Sequence, residues 1–243
     1  MNTAAHHREI IAPANGSFEE LVIIDAHSAV RTVSVRVEAK AECHVTVLQQ
    51  LPKATGAVIM LKGEVADGGR LHWHLVSVGG GDVTETLETR ITGPHATSSI
   101  DWICTAGDGQ RRRLSATNVF LAARGGGEMA LRIAAKGKSN VSAKGMIEIG
   151  EQGSGTQTYL SQKVLMLDEK AVVHAVPSLE IRTNDVKASH GATVTRLTDE
   201  DLFACTARGI GPEEAKAMLV DGFLQELLER VPVLHREAAA AAL

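Results

Sequence analysis

From Ala29 to Leu197 the hydrophobic residues fall largely at every second position. Val33, Val35, Val37, Ala39, Ala41, Cys43, Val45 and Val47 alternate with mostly polar residues, the period of a strand buried on one face. Short apolar runs follow at Ala57–Leu61, Leu71–Val78, Val119–Ala123, Met129–Ala134, Met146–Ile149, Val164–Leu167, Ala171–Val176 and Leu179–Ile181. Turn-forming clusters separate them: Asp67-Gly68-Gly69, Gly79-Gly80-Gly81, Gly107-Asp108-Gly109, Gly125-Gly126-Gly127 and Gly153-Ser154-Gly155. No stretch between these breaks has helical spacing, which excludes a βαβ sheet with its crossover helices. Many short strands at fairly even spacing leave a sandwich, a barrel or a β-helix solenoid. Residues 1–28, before the alternation, read as a short irregular lead into a core spanning 1–197.

The period changes at Thr198. Thr198 followed by Asp199, Glu200 and Asp201 predicts an N-cap with acids in the first turn, where they meet the positive end of the helix dipole. Leu202, Phe203 and Ala207 give that helix a short apolar face, and Gly209 is placed to stop it. Pro212 suits the first turn of a second helix. In it Ala215, Leu219, Phe223, Leu227 and Val231 recur every fourth residue up to Pro232, flanked by Met218, Gly222, Leu224 and Leu228 to give a broad apolar stripe. The expectation is a mainly β chain followed by a small helical hairpin over 198–232, with an Ala-rich tail at 233–243 that frays or continues as helix. The hairpin's stripe packs on the chain's own strands, lies in a partner's groove, or belongs to a DNA reader. Acids outnumber bases eight to three between Thr198 and Val231, a poor surface for phosphates, so DNA is set aside. The pattern leaves the other two open.

Composition changes the picture in two ways. Aromatic residues are only 3% of the 243, so the core is built of Val, Ile, Leu and Ala in close layers, which favours the solenoid. A net charge of −4 gives no reason to expect a nucleic-acid or membrane partner. No apolar run approaches the roughly 18–20 residues of a membrane span, and Met1–Ile11 lacks the apolar stretch of a signal peptide, so the expected location is cytoplasmic.

The candidate chemistry is sparse. Cys43, Cys104 and Cys205 lie far apart with no CxxC pair, which argues against a disulfide framework or a preformed zinc site. They read as small apolar side chains, with a thiolate ligand as the alternative. In His72-Trp73-His74 the two imidazoles share one strand face and could chelate one metal, as in a cupin-like metal-dependent enzyme. The glutamate that follows such a pair in cupins is missing, the nearest acid beyond being Asp82. His44, His95 and His174 are isolated and read as structural. Neither a GxxxxGK[ST] loop nor a GxSxG elbow occurs. Arg111-Arg112-Arg113 reads as a solvated strand start.

The segment from about Ser161 to Phe223 resembles the C-terminal signature of the SufB/SufD family. The matching blocks are Pro177-Ser178-Leu179-Glu180-Ile181, Asn184-Asp185-Val186, Ser189-His190-Gly191-Ala192-Thr193, and Ala207-Arg208-Gly209-Ile210 followed by Glu214-Ala215. This resemblance implies a right-handed parallel β-helix with a helical C-terminal part, working as a noncatalytic scaffold for iron–sulfur cluster assembly. It implies a SufC-type ATPase docked through Leu202, Phe203, Arg208, Gly209, Ile210, Ala215, Leu219 and Phe223. It further implies a dimer with itself or a SufB-like paralogue, and no tightly bound cofactor beyond a transient iron–sulfur cluster shared at the dimer interface. The chain looks closer to SufD. Gln162 stands where SufB proteins carry a cysteine, and Gly191 where they carry a glutamate. His190 is then the first candidate ligand, with Cys205, His72 and His74 behind it. The helical N-terminal domain of longer family members is expected to be missing or reduced to Met1–Asp25.

Overall fold

The computed structural model describes residues 7–28 and 30–243; residues 1–6 of the expected lead, and Ala29, lie outside them. The strands run β1 His7–Ala12, β2 Ser17–Ile24, β3 Thr32–Val37, β4 Glu42–Leu51, β5 Gly56–Val65, β6 Arg70–Gly79 and β7 Asp82–Ile91. They continue as β8 Thr97–Ala106, β9 Arg111–Phe120, β10 Gly126–Ala135, β11 Asn140–Ile149, β12 Gln157–Met166, β13 Val172–Ile181 and β14 Lys187–Arg196. Odd-numbered strands form one seven-stranded sheet and even-numbered strands a second, each in sequential order, with every pairing among the described residues parallel. The chain therefore winds as a solenoid, laying one strand in each sheet per coil. Successive coils are offset by roughly 25 to 32 residues, within the usual range for solenoid repeats. Sandwich and barrel are thereby excluded, and with them the cupin framework.

One side of every strand points between the sheets. Val33, Val35, Val45, Leu71, Trp73, Leu87, Ile100, Leu131, Val141 and Leu160 belong to this continuous interior. The two tryptophans are fully buried with satisfied indoles: Trp73 Nε1 donates to Thr89 Oγ1 at 3.0 Å and Trp102 Nε1 to Ser77 Oγ at 2.9 Å.

Two expectations are corrected in this region. The described part of the lead, from residue 7, is not irregular, because β1 and β2 form the first coil and bury Ala12, Val22 and Ile24. Their alternation is short and interrupted by the turn at Asn15 (φ 60°); parallel pairing with β3 and β4, not local pattern, makes them strands. Nor are the three arginines all solvated. Arg111 and Arg113 face out toward Asp82, while Arg112 is wholly buried between the sheets, as the strand's two-residue period requires once one neighbour is outside.

Three helices follow: α1 Asp199–Thr206, α2 Pro212–Leu228 and α3 Val233–Ala242. The capping box forms, with Thr198 Oγ1 accepting from Asp201 N and Asp201 Oδ2 accepting from Thr198 N. Gly209 adopts φ +86° just past α1, as its placement implies. The Ala-rich tail is a third helix. It holds because His235, Ala239 and Ala242 are buried against the even sheet, His235 Nδ1 lying 3.0 Å from Thr46 Oγ1.

α2 crosses β8 and β10, and α3 crosses β4 and β6. Their side chains Leu224, Leu227, Leu228, Ala239 and Ala242, with Val231 of the link between them, join Leu48, Val76, Ile103 and Ala130 in a second apolar cluster on the outer face of the sheet. Each leucine buried there contributes roughly 1.5–3 kcal/mol. This cover explains why β4, β6, β8 and β10 contain runs buried on both faces where strict alternation fails.

Candidate functional site

Two surfaces carry chemistry. The first is a cleft of about 570 Å³ on the outer face of the even sheet, beside the end of α2. Register builds it. His44 on β4 is paired with His72 on β6, and Thr46 with His74. On β8, His72 is matched by Ser99 and His74 by Asp101. Every second residue points outward, so Glu42, His44, His72, His74 and Asp101 are gathered on one face.

The three imidazoles are stacked. His44 lies 4.4 Å from His72 and 5.5 Å from His74 between ring centroids, with interplanar angles of 8° and 4°. His44 Nδ1 is 3.2 Å from His74 Nε2, while Nε2 of His44 and of His72 lie 3.5 and 3.6 Å from Glu42 Oε1. Burial and the nearby His44 push the His72 pKa down. Burial, reinforced by its histidine neighbours, pushes that of His74 down to about 3. His74 is thus neutral, and its 3.6 Å approach to Asp101 Oδ2 is not an ion pair. Burial lifts the Asp101 carboxyl to about 6 against the pull of Arg230, whose Nη1 donates to Asp101 Oδ1 at 3.1 Å.

The same arginine reaches Glu226 at 3.4 Å, and Glu226 accepts a 2.6 Å bond from the buried Arg132 of β10. These links hold the end of α2 on the sheet. Gly127, at the cleft wall, adopts φ +129°, and a Cβ there would meet Ser98 O at 2.0 Å, so only glycine allows this close approach of strands.

The expectation of a metal-binding pair is therefore corrected. His72 and His74 share a face, but His44, expected to be isolated, stacks on both, and Glu42 supplies the missing acid from the neighbouring strand. Among the described residues, Glu42, His44 and His72 form the group that brings three donor atoms within 4.8 Å of one another. No short-range pattern joins them; only the coil-to-coil register does. Glu42, His44, Asp101 and Arg230 carry no local signal that marks them as site residues.

The second surface is helical. Of the stripe, Leu227 and Val231 are buried on the sheet and Phe223 is partly buried there. Leu202 and Ala215 are buried where α1 packs on α2. Phe203 is 68% exposed and Met218 51%. Arg208 and Gly209 are exposed, Ile210 and Leu219 half-buried. The stripe is thus divided between the chain's own packing and solvent.

His190 sits on β14, at the end of the even sheet, exposed, opposite Leu160 and so in the row that faces inward elsewhere. Gln162 is buried inside the solenoid, its Nε2 3.4 Å from Ala143 O and its Oε1 unpaired. A Cβ on Gly191 would meet the Tyr159 hydroxyl at 2.9 Å. Cys205 lies half-buried on α1, apart from the histidines, while burial pushes the thiols of Cys43 and Cys104 up to about 11 and about 12. No helix among the described residues is long and apolar enough to cross a membrane.

A family model described as SUF system FeS cluster assembly, SufBD core domain, matches residues 2–223. An iron–sulfur cluster assembly SufBD family protein of Mycobacterium leprae is 25% identical over 207 residues, covering 85% of this chain and 24% of that protein. Its counterpart in Mycobacterium tuberculosis H37Rv is 24% identical with the same coverage. The iron–sulfur cluster assembly protein SufB of Bacillus subtilis is also 24% identical, covering 85% of this chain and 44% of its own length. The chain thus spans less than half the length of these relatives.

Proposed function

The chain belongs to the SufBD core family of the SUF iron–sulfur cluster assembly system, and from that premise we propose that it is a noncatalytic scaffold subunit that docks a SufC-type ATPase through α1 and the first half of α2. The observation that carries this reading is the division of the apolar stripe. The second half of α2 and one face of α3 are occupied on the sheet, whereas Phe203 and Met218 remain exposed on helices held in place by that packing. A partner's groove can take such side chains without unfolding anything.

The solenoid's last coil supports the second half of the reading, a dimer with a SufB-like paralogue or with a second copy. β13 and β14 are ten-residue strands at the ends of their sheets, each paired along one edge only among the described residues. Val172, Val176, Ile181 and Val194 are exposed there. Long apolar edges are templates for another chain's strands. His190 lies on that coil and would lend an imidazole to a cluster shared across the interface. With Gln162 and Gly191 supplying neither thiolate nor carboxylate, the partner subunit would provide the remaining ligands. This is a SufD-like role in the cytoplasm.

The test is co-purification with the SufC-type ATPase of the same organism. Phe203→Asp and Met218→Asp are the informative variants, because Phe223 also packs on the sheet and an acid there would damage the fold itself. Both should weaken capture at least tenfold, while Val233→Asp on the far helix, 80% exposed, leaves it unchanged. Undiminished capture by the Phe203→Asp, Met218→Asp double variant would overturn the assigned docking face.

A further inference from the structure

The outer face of the even sheet presents a donor set that neither the helical docking face nor the edge coil uses. Nε2 of His44 and Nε2 of His72 lie 3.5 and 3.6 Å from Oε1 of Glu42, and one donor atom from each residue falls within 4.8 Å of the other two. A tetrahedral ion with bonds of about 2.0–2.1 Å holds its ligands roughly 3.3–3.4 Å apart. The two separations from the carboxylate already come close to that spacing. The residues stand on paired strands: Glu42 and His44 two apart on β4, and His72 opposite His44 on β6.

We propose that Glu42, His44 and His72 bind a divalent first-row transition metal ion of the zinc or ferrous type, with its remaining coordination positions open to the cleft. Two imidazoles and one carboxylate make a borderline donor set that suits such ions, whereas magnesium and calcium prefer all-oxygen sites. The supporting side chain is His74. It is 3% exposed, and its Nδ1 has no hydrogen-bond partner. When His44 ligates through Nε2, its Nδ1 carries the proton and donates to His74 Nε2 across 3.2 Å. The proton of His74 then sits on Nδ1, with Asp101 Oδ2 3.6 Å away, just beyond hydrogen-bond length. A carboxylate and a neutral imidazole behind a ligating histidine are what fix its tautomer and orientation in metal centres.

The rings of His44 and His72 now lie parallel, so their lone pairs do not yet converge. The Cβ–Cγ torsion of each imidazole is soft, so re-aiming the rings toward one ion would require no movement of the strands. Arg230 and Tyr159 line the same cleft and would face a ligand in an open position. This site does not depend on the docking reading, since it shares no residue with it.

The test is metal uptake by the full chain after removal of any histidine tag. Zn2+ and Co2+ are supplied separately, the bound metal is quantified after dialysis, and Co2+ is followed by its d–d absorption. One ion per chain is expected, with Mg2+ unable to compete. His72→Ala and Glu42→Gln should each lower affinity at least 100-fold with circular dichroism and thermal unfolding unchanged. Glu42 is half-buried, so its variant remains informative if loss of an imidazole perturbs the stack. His74→Gln should lower affinity about 10- to 100-fold, the size of effect expected for a group that orients a ligand. His174→Ala, on exposed β13, should change nothing. No stoichiometric uptake, or uptake that survives both His72→Ala and Glu42→Gln, would overturn the proposal.

Discussion

Inside the solenoid an ion pair is buried where the sequence suggested solvent. Arg112 is fully buried and the Glu85 side chain is 4% exposed, with Nη1 and Oε2 3.3 Å apart. The guanidinium also donates to Gln49 Oε1 at 2.6 Å and to the Gly79 carbonyl, and Glu85 Oε1 accepts from Ser77 at 2.7 Å. Burial still outweighs Arg112 and Ser77 in raising the Glu85 pKa, so the pair's attraction does not fully offset its desolvation. Replacing Glu85 by Leu leaves a cation among neutral acceptors, a loss of about 3–5 kcal/mol. That is a large part of the roughly 5–15 kcal/mol that holds a typical domain folded. Arg112→Met strands the carboxylate and should cost a similar amount. The double variant removes both charges together. It leaves Gln49 Oε1, the Gly79 carbonyl and the Ser77 hydroxyl short of a partner, at about 1–3 kcal/mol for each group left unsatisfied. The coupling between the two sites should therefore be about 2–3 kcal/mol, near the upper end for residues in direct contact. Urea unfolding followed by tryptophan fluorescence reads this directly, since Trp102 donates to the same Ser77. A Glu85→Leu loss under about 1 kcal/mol, or a coupling below about 0.5 kcal/mol, would refute the argument that a stranded charge dominates.

Asp101 gives a pH dependence of definite sign. Its carboxyl is raised in the folded chain to about 6 from an ordinary 3.8, so the folded state holds the proton more tightly than the unfolded chain. The stability it contributes is fully present below pH ~4 and is lost as pH rises through ~6. A shift of about two units is worth roughly 3 kcal/mol, and Asp101→Asn should abolish that slope in stability measured from pH 4 to 6. The thiols give a second check. In the native chain an aromatic disulfide reagent should titrate Cys205 alone, and all three cysteines in denaturant, because Cys43 and Cys104 are buried with raised pKa values. Rapid native reaction of Cys43 or Cys104 would contradict the packing of the interior.

Much of the fold was legible from short-range pattern. The two-residue period and the glycine breaks mark strands because they state which side of a residue is buried, and that is a local property. The Thr198–Asp201 cap, the glycine after α1 and the proline opening α2 are equally local, and each stands where the pattern places it. The C-terminal blocks from Pro177 to Ala215 carried the family, confirmed by the match over residues 2–223.

What tertiary structure decided is everything that depends on which coil lies beside which. The alternation of Val33 to Val47 says that one face is buried, but not whether a parallel or antiparallel neighbour covers it. The paired register makes the fold a solenoid, turns the brief strands of residues 7–24 into its first coil, and sends Arg112 inward to Glu85. It also places His44 of one coil against His72 of the next, with Glu42 alongside. The apolar stripe of α2 looked continuous because helical period cannot distinguish a leucine pressed on a sheet from a methionine left for a partner. Only the position of the outer sheet face, set by contacts far apart in the chain, divides Leu224, Leu227 and Leu228 from Met218 and Phe203. Side-chain direction is written locally in a strand or helix; the neighbour it meets is not.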